Sequence, residues 1–126
     1  MQLKINTMYQ FAFEKLEVWN KSRDFTKFIY LKTKTFPDFE KFGLSSQIQR
    51  AAVSVCSNIA EGSSRFSLKD QKLFYQIAYS SLMETMNQLI ISYDLGYVDD
   101  MFLTEIRERV LLISRLLNAL RNSRDR

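Results

Sequence analysis

The chain has 126 residues, of which 46% are hydrophobic and 25% charged, and its formal net charge is +4. This length and composition predict one packed globular domain and exclude an intrinsically disordered chain. Three glycines and one proline are too few for the turns of a β fold, so the composition favours long helices.

Membrane insertion and secretion are not indicated by the sequence. No apolar run approaches the roughly 20 residues of a membrane span, and the N-terminus lacks the basic and long apolar segments of a secretory signal. The single cysteine, Cys56, leaves no pair for an internal disulfide. We therefore expect a cytoplasmic protein with no membrane partner.

The first predicted helix carries much of the positive charge. Residues 1–12 have no clear pattern and are assigned to an N-terminal arm or tail. An apolar stripe at helical spacing predicts a helix from about Phe13 to Thr35, and Pro37 ends it. Its outer side carries residues at positions i, i+4, i+7 and i+11 that suit phosphate binding: Arg23, Lys27, Tyr30 and Lys34.

The stretch from Gly43 to Gly62, GLSSQIQRAAVSVCSNIAEG, predicts the central helix, from about Ser45 to Ala60 or Glu61. The two glycines are interpreted as its boundaries. One face is apolar. A second line at helical spacing consists of Arg50, Ser54, Ser57 and Glu61. It places small hydroxyl residues between two opposite charges, and small residues let another helix approach closely.

The third and fourth helices complete the pattern. Ser67 and Asp70 form a capping box, from which a long helix runs to Gly96. This helix has scarcely any polar face, which in so small a domain predicts burial against other subunits. The fourth helix begins after Asp99 or Asp100 and leads into a basic tail at residues 122–126.

Four helices with short connections predict an all-α, antiparallel up-down-up-down four-helix bundle over residues 13–121. Pairing the second and third helices in antiparallel order brings Arg50 within reach of Glu84. Because a charge in a helix seam needs a partner, we predict an Arg50–Glu84 ion pair there.

The central run GLSSQIQRAAVSVCSNIAEG resembles the signature of the four-helix-bundle family encoded by intervening sequences of bacterial large-subunit ribosomal RNA genes. Leu16 with Trp19, and the run Leu95-Gly96-Tyr97, also fit that family. Cys56 departs from it, since the family usually has proline there, and Gln49 replaces a commonly basic residue. The resemblance implies a homopentamer. It extends to the accessory protein of diversity-generating retroelements, a basic pentameric barrel that associates with a reverse transcriptase and nucleic acid.

Common catalytic machinery is missing from the sequence. The absence of histidine removes the commonest general base and metal ligand, one cysteine excludes a cysteine-cluster zinc site, and no glycine-rich phosphate loop is present. We therefore expect no enzyme activity, no metal and no cofactor. Glu61 and Glu84 are the carboxylates most suited to enclosure, and a structural ion pair is favoured over an acid–base pair. Cys56 is interpreted as a small buried residue rather than a nucleophile.

Three functional hypotheses follow. The first is a non-enzymatic module, within an oligomeric ring, that binds structured RNA or DNA. Its phosphate contacts would come from the helix-1 stripe and the C-terminal arginines, listed as Arg23, Lys27, Tyr30, Lys34, Arg121, Arg124 and Arg126. The second is a scaffold that docks a partner such as a nucleic-acid-processing protein, with no direct nucleic-acid contact. A hydrolase that uses Glu61 or Glu84 is a distant third.

Overall fold

The regular elements are four α-helices and two short 3-10 turns in the computed structural model, which describes residues 9–124. The helices are α1 (Glu17–Thr33), α2 (Leu44–Ser63), α3 (Leu68–Asp94) and α4 (Asp100–Asn122), and the turns are Ala12–Lys15 and Asp38–Glu40. Each helix packs against the next along the chain, and α1 also packs against α4. The predicted all-α four-helix bundle is confirmed.

Helix α1 is shorter than predicted because the residues before it form a separate turn. Leu16 has an extended backbone, so α1 begins at Glu17 instead of Phe13. The side-chain amide of Asn20 donates to the carbonyls of Glu14 (2.8 Å) and Leu16 (3.0 Å), which holds this turn against the helix. Part of the predicted arm is therefore structured, while residues 1–8 lie outside the described residues.

Helix α2 runs through Gly62 and ends at Ser63, so the interpretation of Gly62 as a boundary was wrong. Gly62 is buried, and a Cβ atom there would lie 2.7 Å from Cε1 of Tyr75 on α3. The glycine therefore serves the close approach of two helices and does not mark the end of one.

The predicted caps are confirmed. The Ser67 hydroxyl accepts a hydrogen bond from the Asp70 amide (3.0 Å), and the Asp99 carboxylate accepts one from the Phe102 amide (2.8 Å). Gly96 has a φ of 82° and follows the end of α3. The amide of the next residue, Tyr97, donates back into the last turn of α3, which closes a Schellman motif.

Of the predicted line of small hydroxyl residues on α2, Ser54 lies in the seam with α3, whereas Ser57 is exposed. The hydroxyls of Ser54 and Ser81 lie 2.8 Å apart across this seam. Arg50 and Glu84 are both exposed, and within residues 9–124 no ion pair joins them; Glu84 instead accepts a hydrogen bond from Gln88 (3.3 Å). The predicted Arg50–Glu84 ion pair is therefore wrong for the single chain, because both side chains point to solvent, where neither charge needs a protein partner.

Candidate nucleic-acid interface

The basic stripe on α1 is accessible along its whole length. Arg23, Lys27 and Lys34 are exposed, and Tyr30 retains 39% of its surface. Lys27 and Lys34 form no ion pair with any residue between 9 and 124, and Arg23 lies over the Trp19 ring at 4.9 Å. The lysine ammonium groups are therefore available to external anions.

The opposite side of α1 has the reverse charge. A groove of about 810 Å³ between α1 and α4 is lined by an excess of carboxylates over basic groups. One of its basic groups, Arg109, is already paired with Glu105 at 2.8 Å. The acidic groups that line it are Asp24, Asp100, Glu105 and Glu108. This groove disfavours phosphate, so the positive face of α1 is confined to one side of the bundle.

The C-terminal arginines lie at the other end of the bundle from Lys34. Arg121 donates to the side chain of Gln76 (2.8 Å) and Arg124 to that of Gln71 (2.6 Å), so both arginines are tied to the first half of α3. Lys34 follows the C-terminus of α1, which lies beside the N-terminus of α4 in this up-down order. The structure does not bring these two parts of the predicted site together. Arg126 lies outside the described residues.

The fold assembles a basic groove that the sequence prediction did not include. A groove of about 510 Å³ at the start of α2 is lined by Lys34, Lys41 and Arg50, with Asp38 as its carboxylate. Phe42, which also lines this groove, is 90% exposed. Only Lys34 belongs to the helical stripe. The other two cations come from the 3-10 segment and from the second turn of α2, so no periodic pattern in the sequence connects the three.

Glu61, one of the two carboxylates of the hydrolase hypothesis, lies in an open groove at the end of α2. The groove has a volume of about 420 Å³, and no second carboxylate lines it. The nearby hydroxyls of Ser63 and Ser64 donate to carbonyls of their own helix, at 2.8 and 2.7 Å. Glu61 itself faces Arg65 at 3.9 Å on the surface. The geometry offers Glu61 neither an acid–base pair nor a nucleophile to activate.

Cys56 is also poorly placed for chemistry. It is half-buried on α2, 3.6 Å from the Thr26 hydroxyl on α1, and burial raises the pKa of its thiol. A raised pKa lowers the thiolate fraction at neutral pH, and the thiolate is the nucleophilic form. Within residues 9–124 no cluster of acidic, cysteine or histidine side chains could hold a metal ion, and no helix in this range is long and apolar enough to cross a membrane.

Comparisons with known proteins agree with the fold. The model of a family described as 23S rRNA-intervening sequence protein matches residues 14–119. The chain is also similar to the crystal structure of a protein of unknown function from the S23 ribosomal protein family of Bacteroides thetaiotaomicron. That structure shares 26% sequence identity and a TM-score of 0.76 with this chain, and the match covers 82% of this chain and 97% of that one. No curated protein matches the chain.

Proposed function

This chain belongs to the 23S rRNA-intervening sequence protein family, and we propose that it is a non-enzymatic protein that binds structured RNA or DNA through a basic surface of an oligomeric ring. The observation that carries the proposal is the exposed stripe on α1, in which Lys27 and Lys34 have no acidic partner among residues 9–124. Neutralising phosphates with such side chains releases counterions, which drives sequence-independent binding. We propose that the protein binds its nucleic acid in the cytoplasm.

Assembly of several copies would extend this surface. Helix α3 and its C-cap residue expose four aliphatic side chains along one line, which in a single bundle lie in water: Leu73, Ile77, Ile91 and Leu95. We assign this line to contact with a second copy of the chain. The five-fold symmetry implied by the family resemblance would repeat the α1 stripe around a ring, and a repeated stripe binds a long polyanion more tightly than one copy does.

A protein-docking scaffold is the alternative function. Phe39, Phe42 and Met101 are 78%, 90% and 81% exposed, and large apolar side chains of this kind are common at protein interfaces. In that case the ring would dock a partner such as a nucleic-acid-processing protein, and the charges of α1 would steer association without touching nucleic acid.

Fluorescence anisotropy with labelled RNA hairpins, single-stranded DNA and duplex DNA tests the proposal at several salt concentrations. We expect affinity to fall steeply with salt for the wild type. Lys27→Glu/Lys34→Glu reverses two charges on the stripe and is expected to weaken binding by roughly 10²-fold or more at low salt.

A matched control separates a defined site from net charge. Lys15→Glu/Lys21→Glu makes the same change in net charge but alters exposed lysines off the stripe, and Lys21 lines the acidic groove. We expect this control to bind far better than the stripe variant. Equal losses of affinity in the two variants would show that binding depends on net charge and not on the stripe. If the wild type binds none of the probes at low salt, the proposal is wrong and the scaffold becomes the favoured function.

A further inference from the structure

We propose that the basic groove at the start of α2 is a phosphate-binding site, and that it holds one backbone phosphate of a nucleic acid with a base stacked beside it on Phe42. The inference rests on the proposed function for the source of the phosphate. The groove is lined by main-chain and side-chain groups from three segments: the end of α1, the 3-10 turn Asp38–Glu40 and the first turns of α2.

The first turn of α2 presents free main-chain donors. Gly43 is its N-cap and has no side chain to cap the helix. The Leu44 amide is bound by the Glu40 carboxylate at 3.1 Å, and the Gln47 amide by the Gly43 carbonyl. The amides of Ser45 and Ser46 have no acceptor among residues 9–124. Free amides at a helix N-terminus, together with the helix dipole, favour an anion.

A largely buried serine in the groove also has a hydroxyl without a protein partner. Ser45 is only 6% exposed and its side chain lines the groove, yet its hydroxyl makes no hydrogen bond to any residue between 9 and 124. The hydroxyl oxygen itself is not fully buried, so it opens to the groove and can donate to a ligand there. An anion in the groove would accept from this hydroxyl as well as from the two amides.

Cations outnumber carboxylates around these donors. Lys34, Lys41 and Arg50 line the groove against one carboxylate, Asp38. The Glu40 carboxylate does not line it, and its two oxygens already accept from the Leu44 amide and the Tyr97 hydroxyl. Two amides, a hydroxyl and three cations form a donor set suited to a phosphate group and offer little to a neutral ligand.

Phe42 makes a nucleic acid the favoured source of the phosphate. Its ring is 90% exposed directly before the helix, and the Lys41 ammonium lies 5.5 Å from the ring centroid. An exposed aromatic ring beside a cationic groove is the arrangement by which proteins hold single-stranded nucleic acid, with one base on the ring and its phosphate in the groove. An RNA loop or a single strand supplies such an unpaired base, whereas a duplex does not.

Amide NMR with inorganic phosphate as the probe tests the anion site itself. We expect saturable shifts of the Ser45 and Ser46 amides and much smaller shifts at the first turn of α3, where the Ser67 side chain already caps the helix. Ser45→Ala keeps every charge and removes one hydrogen bond to the anion, so we expect the phosphate Kd to rise roughly tenfold. Shifts of equal size at both helix starts would overturn the site.

Oligonucleotide binding then identifies the source of the phosphate. We expect Phe42→Ala to weaken binding of a single-stranded RNA roughly tenfold and to leave duplex DNA binding unchanged. Phe66→Ala is the control, because Phe66 is fully exposed in the α2–α3 turn, far from the groove.

The two proposals can fail separately. If phosphate shifts the Ser45 and Ser46 amides but no oligonucleotide binds, the anion site is supported with free phosphate as its source, and the proposed function fails. If RNA binds equally well to wild type, Ser45→Ala and Phe42→Ala, the groove is not the site, and the proposed function is judged by the α1 stripe alone.

Discussion

Gly62 is the residue where a single methyl group decides how closely two helices pack. Its buried Cα faces the side chains of Phe74 and Tyr75, and an added Cβ would lie 2.7 Å from the Tyr75 ring and 3.0 Å from the Phe74 Cβ. Tyr75 is itself only 1% exposed, so its ring has little space into which it can move. The seam between α2 and α3 therefore depends on glycine at this position.

We predict that Gly62→Ala lowers the free energy of unfolding by about 1–3 kcal/mol, since overpacking outweighs the better helix propensity of alanine. Urea denaturation followed by circular dichroism measures this change. Ser57→Ala is the control on the same helix, because Ser57 is exposed and its change is expected to stay within about 0.5 kcal/mol. A Gly62→Ala protein as stable as the wild type would contradict the close packing of Gly62 against Tyr75.

Residue roles that depend on a tertiary neighbour were the hardest to predict from the sequence. In the sequence, Gly62 resembles a helix boundary, and only its contact with Tyr75 shows that it serves close packing. Arg50 and Glu84 satisfy an antiparallel spacing argument, but spacing along two helices does not fix the direction in which side chains point, and both point outward. The basic groove at the start of α2 is formed within residues 33–50, but it depends on how the chain turns between α1 and α2, which helical periodicity does not describe.

Element boundaries fixed by local chemistry were predicted well. The caps at Ser67, Asp99 and Gly96 act within a few residues of the chain, so the sequence contains the whole interaction. The start of α1 was predicted too early because an apolar stripe cannot distinguish a 3-10 turn from the first turn of a helix. The hydrogen bonds of Asn20 to Glu14 and Leu16 separate the two.

One side-chain hydrogen bond joins two connecting segments at the same end of the bundle. The Tyr97 hydroxyl, in the α3–α4 turn, donates to the Glu40 carboxylate at 2.8 Å, and this bond raises the pKa of Tyr97 above its ordinary value of 10. Because the folded state favours the protonated hydroxyl, its contribution to stability is complete below pH 10 and is lost as the pH rises through the raised pKa.

We predict that Tyr97→Phe lowers the free energy of unfolding at pH 7 and that this difference from wild type shrinks as the pH rises above 10. Chemical denaturation at a series of pH values measures both effects. Tyr30→Phe serves as the control, because the Tyr30 hydroxyl is exposed and makes no hydrogen bond within residues 9–124. A difference between wild type and Tyr97→Phe that is independent of pH would show that the bond to Glu40 does not stabilise the fold.

At the scale of the whole molecule, the basic stripe, the acidic groove and the exposed aliphatic line occupy different parts of the bundle. The basic stripe follows α1, the acidic groove lies between α1 and α4, and the exposed aliphatic line follows α3. The sequence predicted that α3 has scarcely any polar face, but the structure exposes polar residues such as Gln76, Glu84 and Asn87 on α3 as well as the aliphatic line. Subunit number could not be predicted from the residues, because many closed symmetries bury one helix face equally well.

Ile77 and Ile91 test whether a second copy covers this line. They are 39% and 42% exposed in the single chain, in the first and second halves of α3. A glutamate at either position keeps its charge in water in a monomer but would be desolvated between subunits. We predict that the wild type is oligomeric and that Ile77→Glu/Ile91→Glu is a folded monomer. Native mass spectrometry measures the number of subunits, and circular dichroism measures the helix content.

Thr104→Glu, on the exposed side of α4, is the control and is expected to keep the oligomeric state of the wild type. A folded monomeric wild type would remove the ring from the proposed function and leave each α1 stripe to bind nucleic acid alone, at correspondingly lower affinity.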